Sequence, residues 1–327
     1  MSQEPTIGET LAENGVSRRD FLKLCGMVAA VLSLPRGGAE TISTALAAST
    51  RLPVIWLHFQ ECTGDSESFT RAYQHANPAI SGATDPTISS LLLDVISVDY
   101  HETLMAPSGF YAEQSRQQTM QNYSGQYLAV IEGSIPTGNG GAYCCVGGRT
   151  AASILQEVVS QARATVALGA CAWDGGLAAA APNPTGAVGV RQAAPNAPNL
   201  LVIPGCPSNP VNLVASIVYL LTYNNWPSRT SAGLPSFAYG GETIHEQCPR
   251  EDRPKVQAWG DQAHRQGGCL RTMGCRGPVT RSNCSRVKWN EGISWCIGAG
   301  HGCIGCDTTG FWDRQSPFYV GSSGGDD

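Results

Sequence analysis

Nowhere in this chain of 327 residues is there an apolar stretch long enough to serve as a membrane anchor. A basic tail is also missing. With a net charge of −5, the composition speaks against a nucleic-acid partner. The first strand–helix turn carries no Gly-x-Gly-x-x-Gly, so a bound dinucleotide has no support. From about Asn224 onward regular periodicity fades, and Gly, Pro, Arg and Cys dominate. That stretch cannot build a large apolar core and is expected to fold around metals, whose binding supplies the missing folding free energy. Elsewhere, apolar residues at 42% of the chain suffice for a core of one large or two modest domains.

What the chain does have is cysteine. Of thirteen, Cys25 lies in an N-terminal targeting stretch, and Cys144 and Cys145 stand adjacent and apart, expected to be free core thiols. The other ten, joined by His245 three residues before Cys248 and Asp65 three after Cys62, make twelve candidate ligands in three groups of four. Cubane iron–sulfur clusters each need four ligands, mostly thiolates, and three clusters in one chain mean electron transport over a distance. A disulfide framework is the competing reading for an exported chain. Against it, the cysteines crowd into Gly-rich turns, as at Cys303 and Cys306. Zinc also takes Cys-x2-Cys turns, but three zinc sites fit less well with the export route described next.

Ser17-Arg18-Arg19-Asp20-Phe21-Leu22-Lys23 has the form of a twin-arginine export signal. It is followed by a short apolar run, Leu24 to Leu34, and a small-residue cleavage site, Ala45-Leu46-Ala47. Residues 1–48 therefore read as a removable leader. Such a route carries folded, cofactor-loaded proteins, and it places the chain in the periplasm.

After the leader, Val54–Phe59, Leu91–Val98, Tyr127–Glu132, Thr165–Cys171 and Leu200–Pro204 read as buried parallel strands. Ala151–Ala164 and Asn209–Tyr223 read as helices. This is the alternation of an α/β doubly wound sheet over residues 49–225, with an irregular domain over 226–327. Ligands in such sheets sit beyond the carboxyl ends of the strands, where Cys62, Cys171 and Cys206 fall. Between Arg250 and Lys288, nine Lys/Arg face three Asp/Glu. These cations either balance anionic clusters, the preferred reading, or form a docking face for an acidic partner.

In order along the chain stand Glu61-Cys62-Thr63-Gly64, Glu132-Gly133-Ser134-Ile135-Pro136, Gly169-Ala170-Cys171-Ala172, Asn183-Pro184-Thr185-Gly186-Ala187, Pro204-Gly205-Cys206-Pro207, His245-Glu246-Gln247-Cys248 and Ala299-Gly300-His301-Gly302-Cys303-Ile304-Gly305-Cys306. Together they resemble the small subunit of a nickel–iron hydrogenase, over essentially the whole chain. The resemblance implies a flavodoxin-like domain holding a proximal cluster on Cys62, Asp65, Cys171 and Cys206. It implies a distal cluster on His245, Cys248, Cys269 and Cys275, and a medial cluster on Cys284, Cys296, Cys303 and Cys306.

Position 65 is cysteine in the family pattern. Asp65 either ligates, the favoured reading, or leaves one iron labile in a three-iron cluster, or stands behind water or another residue that completes the site. Cys296, where many relatives have proline, argues for a four-iron medial cluster, so that all three are expected to be of the four-iron type. His245 is expected to mark the electron exit. Ser66 and Gly176 stand where an oxygen-tolerant variant would carry two further cysteines. Glu67 matches a position linked to proton movement, with a solvated carboxylate as the alternative. The nickel–iron centre belongs to a large subunit, since this chain lacks the two paired-cysteine motifs that would bind it. The implied acceptor is a cytochrome or a membrane-bound cytochrome subunit. A free-standing multi-cluster carrier is the rival, and it predicts a polar rather than an apolar surface around Cys62.

Overall fold

Five short apolar runs form one parallel sheet in the computed structural model, which describes residues 4–13, 16–72, 95–290 and 292–319. The strands are β1 (Leu52–His58), β2 (Ile96–His101), β3 (Leu128–Glu132), β4 (Ala164–Leu168) and β5 (Leu200–Ile203), in the order β2-β1-β3-β4-β5. Val54 pairs with Leu128, Leu128 with Ala164, and Thr165 with Leu200. Nearly every residue of β1, β3 and β4 is buried, because helices cover both faces; this is why the strands read as continuous apolar runs. The strand expected at Leu91–Val98 lies further on, and residues 91–94 fall outside the described residues. The fourth strand stops at Leu168 instead of reaching Cys171. Gly169 adopts φ +82°, and the chain turns straight into a helix.

The helices that matter for the site are α4 (Gly64–Ala72), α5 (Phe110–Asn122), α6 (Ala151–Ser160), α7 (Gly169–Asp174) and α8 (Pro210–Tyr223). Asn209 caps α8, its side chain accepting the Val211 N–H, with Pro210 at the first helical position. α6 ends at Ser160, four residues short of the expected Ala164, which instead begins β4. β1 lies between β2 and β3, so the winding reverses there and opens a crevice at the carboxyl edge.

Before the sheet come α1 (Ile7–Glu13), α2 (Arg18–Val31) and α3 (Gly38–Ala48). They are part of the main core. Ile7, Leu11, Leu24, Cys25, Val28, Ile42 and Leu46 are all buried in it, and α3 packs on α8. Thr6 bridges Thr50, and the Ile7 N–H reaches the Ser49 carbonyl. Arg18 and Arg19 stay exposed, behind the capping hydroxyl of Ser17.

Past Tyr223 the described residues contain only helical turns of three to five residues. The main core takes in Trp226, Leu234, Ala238 and Tyr239. Beyond that, a second small cluster forms from Ile244, Trp295 and Ile297, and its remaining packing partners include Cys248, Cys275, Cys284 and Cys303. The sulfurs thus stand where a larger domain would have aliphatic side chains. No helix among the described residues is long and apolar enough to cross a membrane.

Candidate metal centres

Three adjacent regions of the sheet's carboxyl edge build the first group. Cys62 follows β1, Cys171 sits in α7 directly after β4, and Cys206 follows β5. Asp65 lies in the first turn of α4. One of its carboxyl oxygens accepts the Ser208 N–H at 2.6 Å. The other lies so close to Gly169 that a Cβ there would come within 2.1 Å of it. Burial pushes the Asp65 carboxyl up to about 7, and Glu132 adds to this. Burial pushes Cys171 up to about 12, with Cys206, Asp65 and Cys62 close enough to raise it further. The Ser208 bond thus ties Asp65 to the turn that carries Cys206, at the edge where Cys62 and Cys171 also stand. Glu67 is exposed in the first turn of α4. Ser66 is buried and donates its hydroxyl to Glu132 at 2.6 Å.

Glu132 is the residue that the sequence did not single out on its own. It ends β3 fully buried and accepts the N–H groups of Asp65 at 3.1 Å and Ser66 at 3.2 Å. The Trp56 indole donates to it at 3.0 Å. A carboxylate on the first N–H groups of a helix is favourable for both dipole and hydrogen bonds, so Glu132 fixes the turn that presents Asp65. One acidic residue closing the apolar run Leu128–Ile131 was the available signal.

The second group lines a single pocket. His245, Cys248, Cys269 and Cys275 surround it with Arg250, Leu270, Gly277 and Ile297. Thr243 and Glu246 exchange hydrogen bonds across the His245 turn, at 2.6 and 3.3 Å, in the reciprocal manner of a capping box. The Cys248 N–H returns to the His245 carbonyl at 2.9 Å.

The third group is more deeply set. Cys284 Sγ lies 3.1 Å from Ser282 Oγ, and its thiol is held well above the ordinary range by burial, then by Asp307, Cys303 and Cys296. Burial likewise raises Cys303 to about 12. Cys296 is exposed at this group's edge. Asp307, directly after Cys306, is a second missed residue. Its carboxyl lies 3.9 Å from Cys284 Sγ, and burial pushes it up to about 6.

The donor sets suit iron–sulfur clusters. Round a tetrahedral zinc ion, with Zn–S near 2.3 Å, sulfurs stand about 3.8 Å apart. Among the described residues, the one trio of Cys, His, Asp and Glu ligand atoms within 4.8 Å of one another is His58, Glu61 and Glu132, outside all three groups. A cubane spreads its ligands over four different irons, so wider spacing is what it needs. Several sulfurs also accept N–H groups, as Cys248 does from Arg250 at 3.4 Å, which stabilises the thiolate a cluster requires.

Neighbouring groups touch. The Cys303 N–H of the third group donates to Cys275 Sγ of the second at 3.2 Å. The Cys206 backbone N–H, in the first group, stands near enough to Cys306 in the third to oppose the rise that burial gives its thiol. All thirteen cysteines are free of disulfides. Both Cys144 and Cys145 are free thiols: Cys144 is half-buried and packs against the main core, whereas Cys145 is exposed on a two-stranded hairpin and is not a core thiol.

Residues 239–319 match the C-terminal family of NiFe/NiFeSe hydrogenase small subunits, and residues 62–220 match the NADH ubiquinone oxidoreductase 20 Kd subunit family. The chain is 41% identical over 319 residues to the periplasmic [NiFe] hydrogenase small subunit 1 of Nitratidesulfovibrio vulgaris, covering 95% of each. It is 40% identical to the uptake hydrogenase small subunit of Azotobacter vinelandii, over 98% of this chain and 86% of that one. Among solved structures, a [NiFeSe]-hydrogenase chain of Dm. baculatum superposes with a TM-score of 0.73 at 33% identity, over 84% of this chain and all of that one.

Proposed function

Because this chain belongs to the small subunits of nickel–iron hydrogenases, we propose that Cys62, Asp65, Cys171 and Cys206 hold a proximal four-iron cluster, Cys284, Cys296, Cys303 and Cys306 a medial one, and His245, Cys248, Cys269 and Cys275 a distal one. Hydrogenase small subunits are the electron-transfer halves of heterodimers. When bound, the clusters would pass electrons between the large subunit's nickel–iron centre and an acceptor outside. The protein's part is to hold twelve ligand atoms in three sets, to half-bury most of them, and to direct N–H donors at the sulfurs. The observation that carries this reading is the contact between two of the sets, in which the Cys303 N–H donates to Cys275 Sγ at 3.2 Å.

The large subunit's place is supported by apolar side chains beyond the sheet's carboxyl edge, the edge that carries Cys62. The segments that follow the carboxyl ends of β2, β3 and β4 expose Leu104, Phe110 and Tyr111 at the start of α5, Tyr143 and Leu177. Aromatic side chains bared on one side of a chain suit an obligate interface better than the polar rim of a free carrier. His245, half-buried in a cation-rich region, suits electron exit to an acidic acceptor such as a cytochrome or a membrane-bound cytochrome subunit. For the ends of the chain, we propose a twin-arginine leader over 1–48 that sends the protein to the periplasm. A sheet domain over 49–225 and a cluster domain over 226–327 would follow, with the main core reaching across that junction as far as Tyr239.

Purification from the native host tests the reading as a whole. The expected product is a heterodimer containing nickel, with iron and sulfide in the proportion of three four-iron clusters. A monomer with full iron content and no nickel would leave the free carrier in its place. Cys296→Pro is expected to cost the medial cluster one iron and to produce a three-iron EPR signal on oxidation. If the unaltered protein, isolated without air, already gives that signal in full, Cys296 is not a ligand.

A further inference from the structure

The segment from Pro204 to Asn212 lies against both the proximal and the medial ligand sets. Its Cys206 belongs to the first, and its asparagines hold the turn that carries Cys284 of the second. Its Ser208 N–H holds Asp65. Asn209 Nδ2 donates to the Lys288 carbonyl at 2.6 Å, at the end of the turn that begins with Cys284. One helical turn on, Asn212 and Asn283 face each other in a reciprocal amide pair, at 3.1 and 2.8 Å. Asn283 is the residue before Cys284. Asn212 also donates to Tyr239 Oη at 3.1 Å, and that hydroxyl donates to the Pro204 carbonyl at 3.4 Å. Asn209, Asn212, Asn283 and Tyr239 are all at most 4% exposed.

We infer that these four side chains are positioning residues, a buried polar clamp that sets the distance between the proximal and medial sites. Two loops that lie far apart in sequence are tied together through it. Apolar packing holds surfaces together without fixing register, whereas a paired amide has one geometry in which all its groups are satisfied. The loops that carry Cys206 and Cys284 are irregular, so helix or sheet ladders do not set their separation. The clamp sets it.

The inference rests on the ligand sets proposed above, and the experiment separates the two. Iron content and the EPR signal of each cluster report on the ligand sets. The magnetic interaction between the reduced proximal and medial clusters, which falls with the cube of their distance, reports on the clamp. In the purified heterodimer, Asn212→Leu should lose much of that interaction and melt at a lower temperature, because Asn283 is left buried without a partner. The double variant Asn212→Leu, Asn283→Leu replaces both amides by apolar groups, a change that can be nearly neutral for stability. It should regain the melting temperature but not the interaction. Recovery of both would make the pair a merely structural contact and overturn the inference. So would an unchanged interaction in the single variant with all clusters loaded. If neither leucine variant loads, Asn209→Ser decides. Serine caps a helix as well as asparagine does, but it cannot reach the Lys288 carbonyl. Weakened interaction at an unchanged melting temperature supports the clamp, and an unchanged interaction rejects it.

Discussion

Asp65→Ala should leave the proximal site with three protein ligands, one iron exposed or lost, and hydrogen-driven dye reduction lower by about 100-fold, the upper end of what even outer partners of a metal site cost. The substitution isolates the side chain. Glu132 would still hold the N–H groups of residues 65 and 66, and Gly169 leaves the space above them open. Asp65→Cys should keep the cluster and shift its potential. A carboxylate is a harder ligand than a thiolate and favours ferric over ferrous iron, so reduction should loosen the Asp65 contact while the three cysteines keep theirs. A crystal structure of the oxidised heterodimer measures the contact directly. A carboxyl oxygen well beyond about 2.2 Å from iron, the upper end of carboxylate distances to a comparable metal, would leave Asp65 as a hydrogen-bonding neighbour of the site.

His245→Ala should slow electron delivery to an external acceptor by about 10- to 100-fold, with hydrogen–deuterium exchange unchanged, since exchange needs only the large subunit's centre. Alanine keeps every backbone contact of this turn. The residue's N–H still meets the Gly277 carbonyl at 3.1 Å, its carbonyl still accepts from Cys248, and Thr243 and Glu246 still brace the turn from outside. On the proposed distal ligand set, what would go is one neutral ligand among three thiolates, and with it the raised potential that a histidine ligand confers. Equal losses in both assays would mean that the turn itself had collapsed.

The sheet was readable because β1, β3 and β4 are buried on both faces and so are written as unbroken apolar runs. Their ends were less so, since a single positive-φ glycine, Gly169, moved Cys171 from strand to helix. Cys62, Cys171 and Cys206 could be placed because ligands to a doubly wound sheet collect at one edge, and Asp65 through the family resemblance. Glu132 and Asp307 could not be given roles, because a lone acid has no periodicity, and its burial depends on what the rest of the chain brings to it. The pairing of Asn212 with Asn283 was invisible for the same reason. Polar residues in a helix and a loop carry no local sign that they will meet. The packing of α1 to α3 ran against expectation most strongly. A short apolar run after two arginines looks like an address label, yet in the fold its apolar face lies in the core.

That packing makes the full-length and the trimmed chain two different folding problems. Each large aliphatic side chain buried by α1, α2 and α3 contributes about 1.5–3 kcal/mol, and all of them would leave with a cut at Ala47. Leu46 is wholly buried within a helix, so a peptidase must first melt α3 to reach the bond. The arginine pair, by contrast, is readable without any such melting. On the proposed leader boundary, its removal would bare the face of α8 on which α3 packs. A chain unfolded after that point has lost the scaffold on which it first folded, and its persistence becomes a matter of unfolding rate instead of equilibrium.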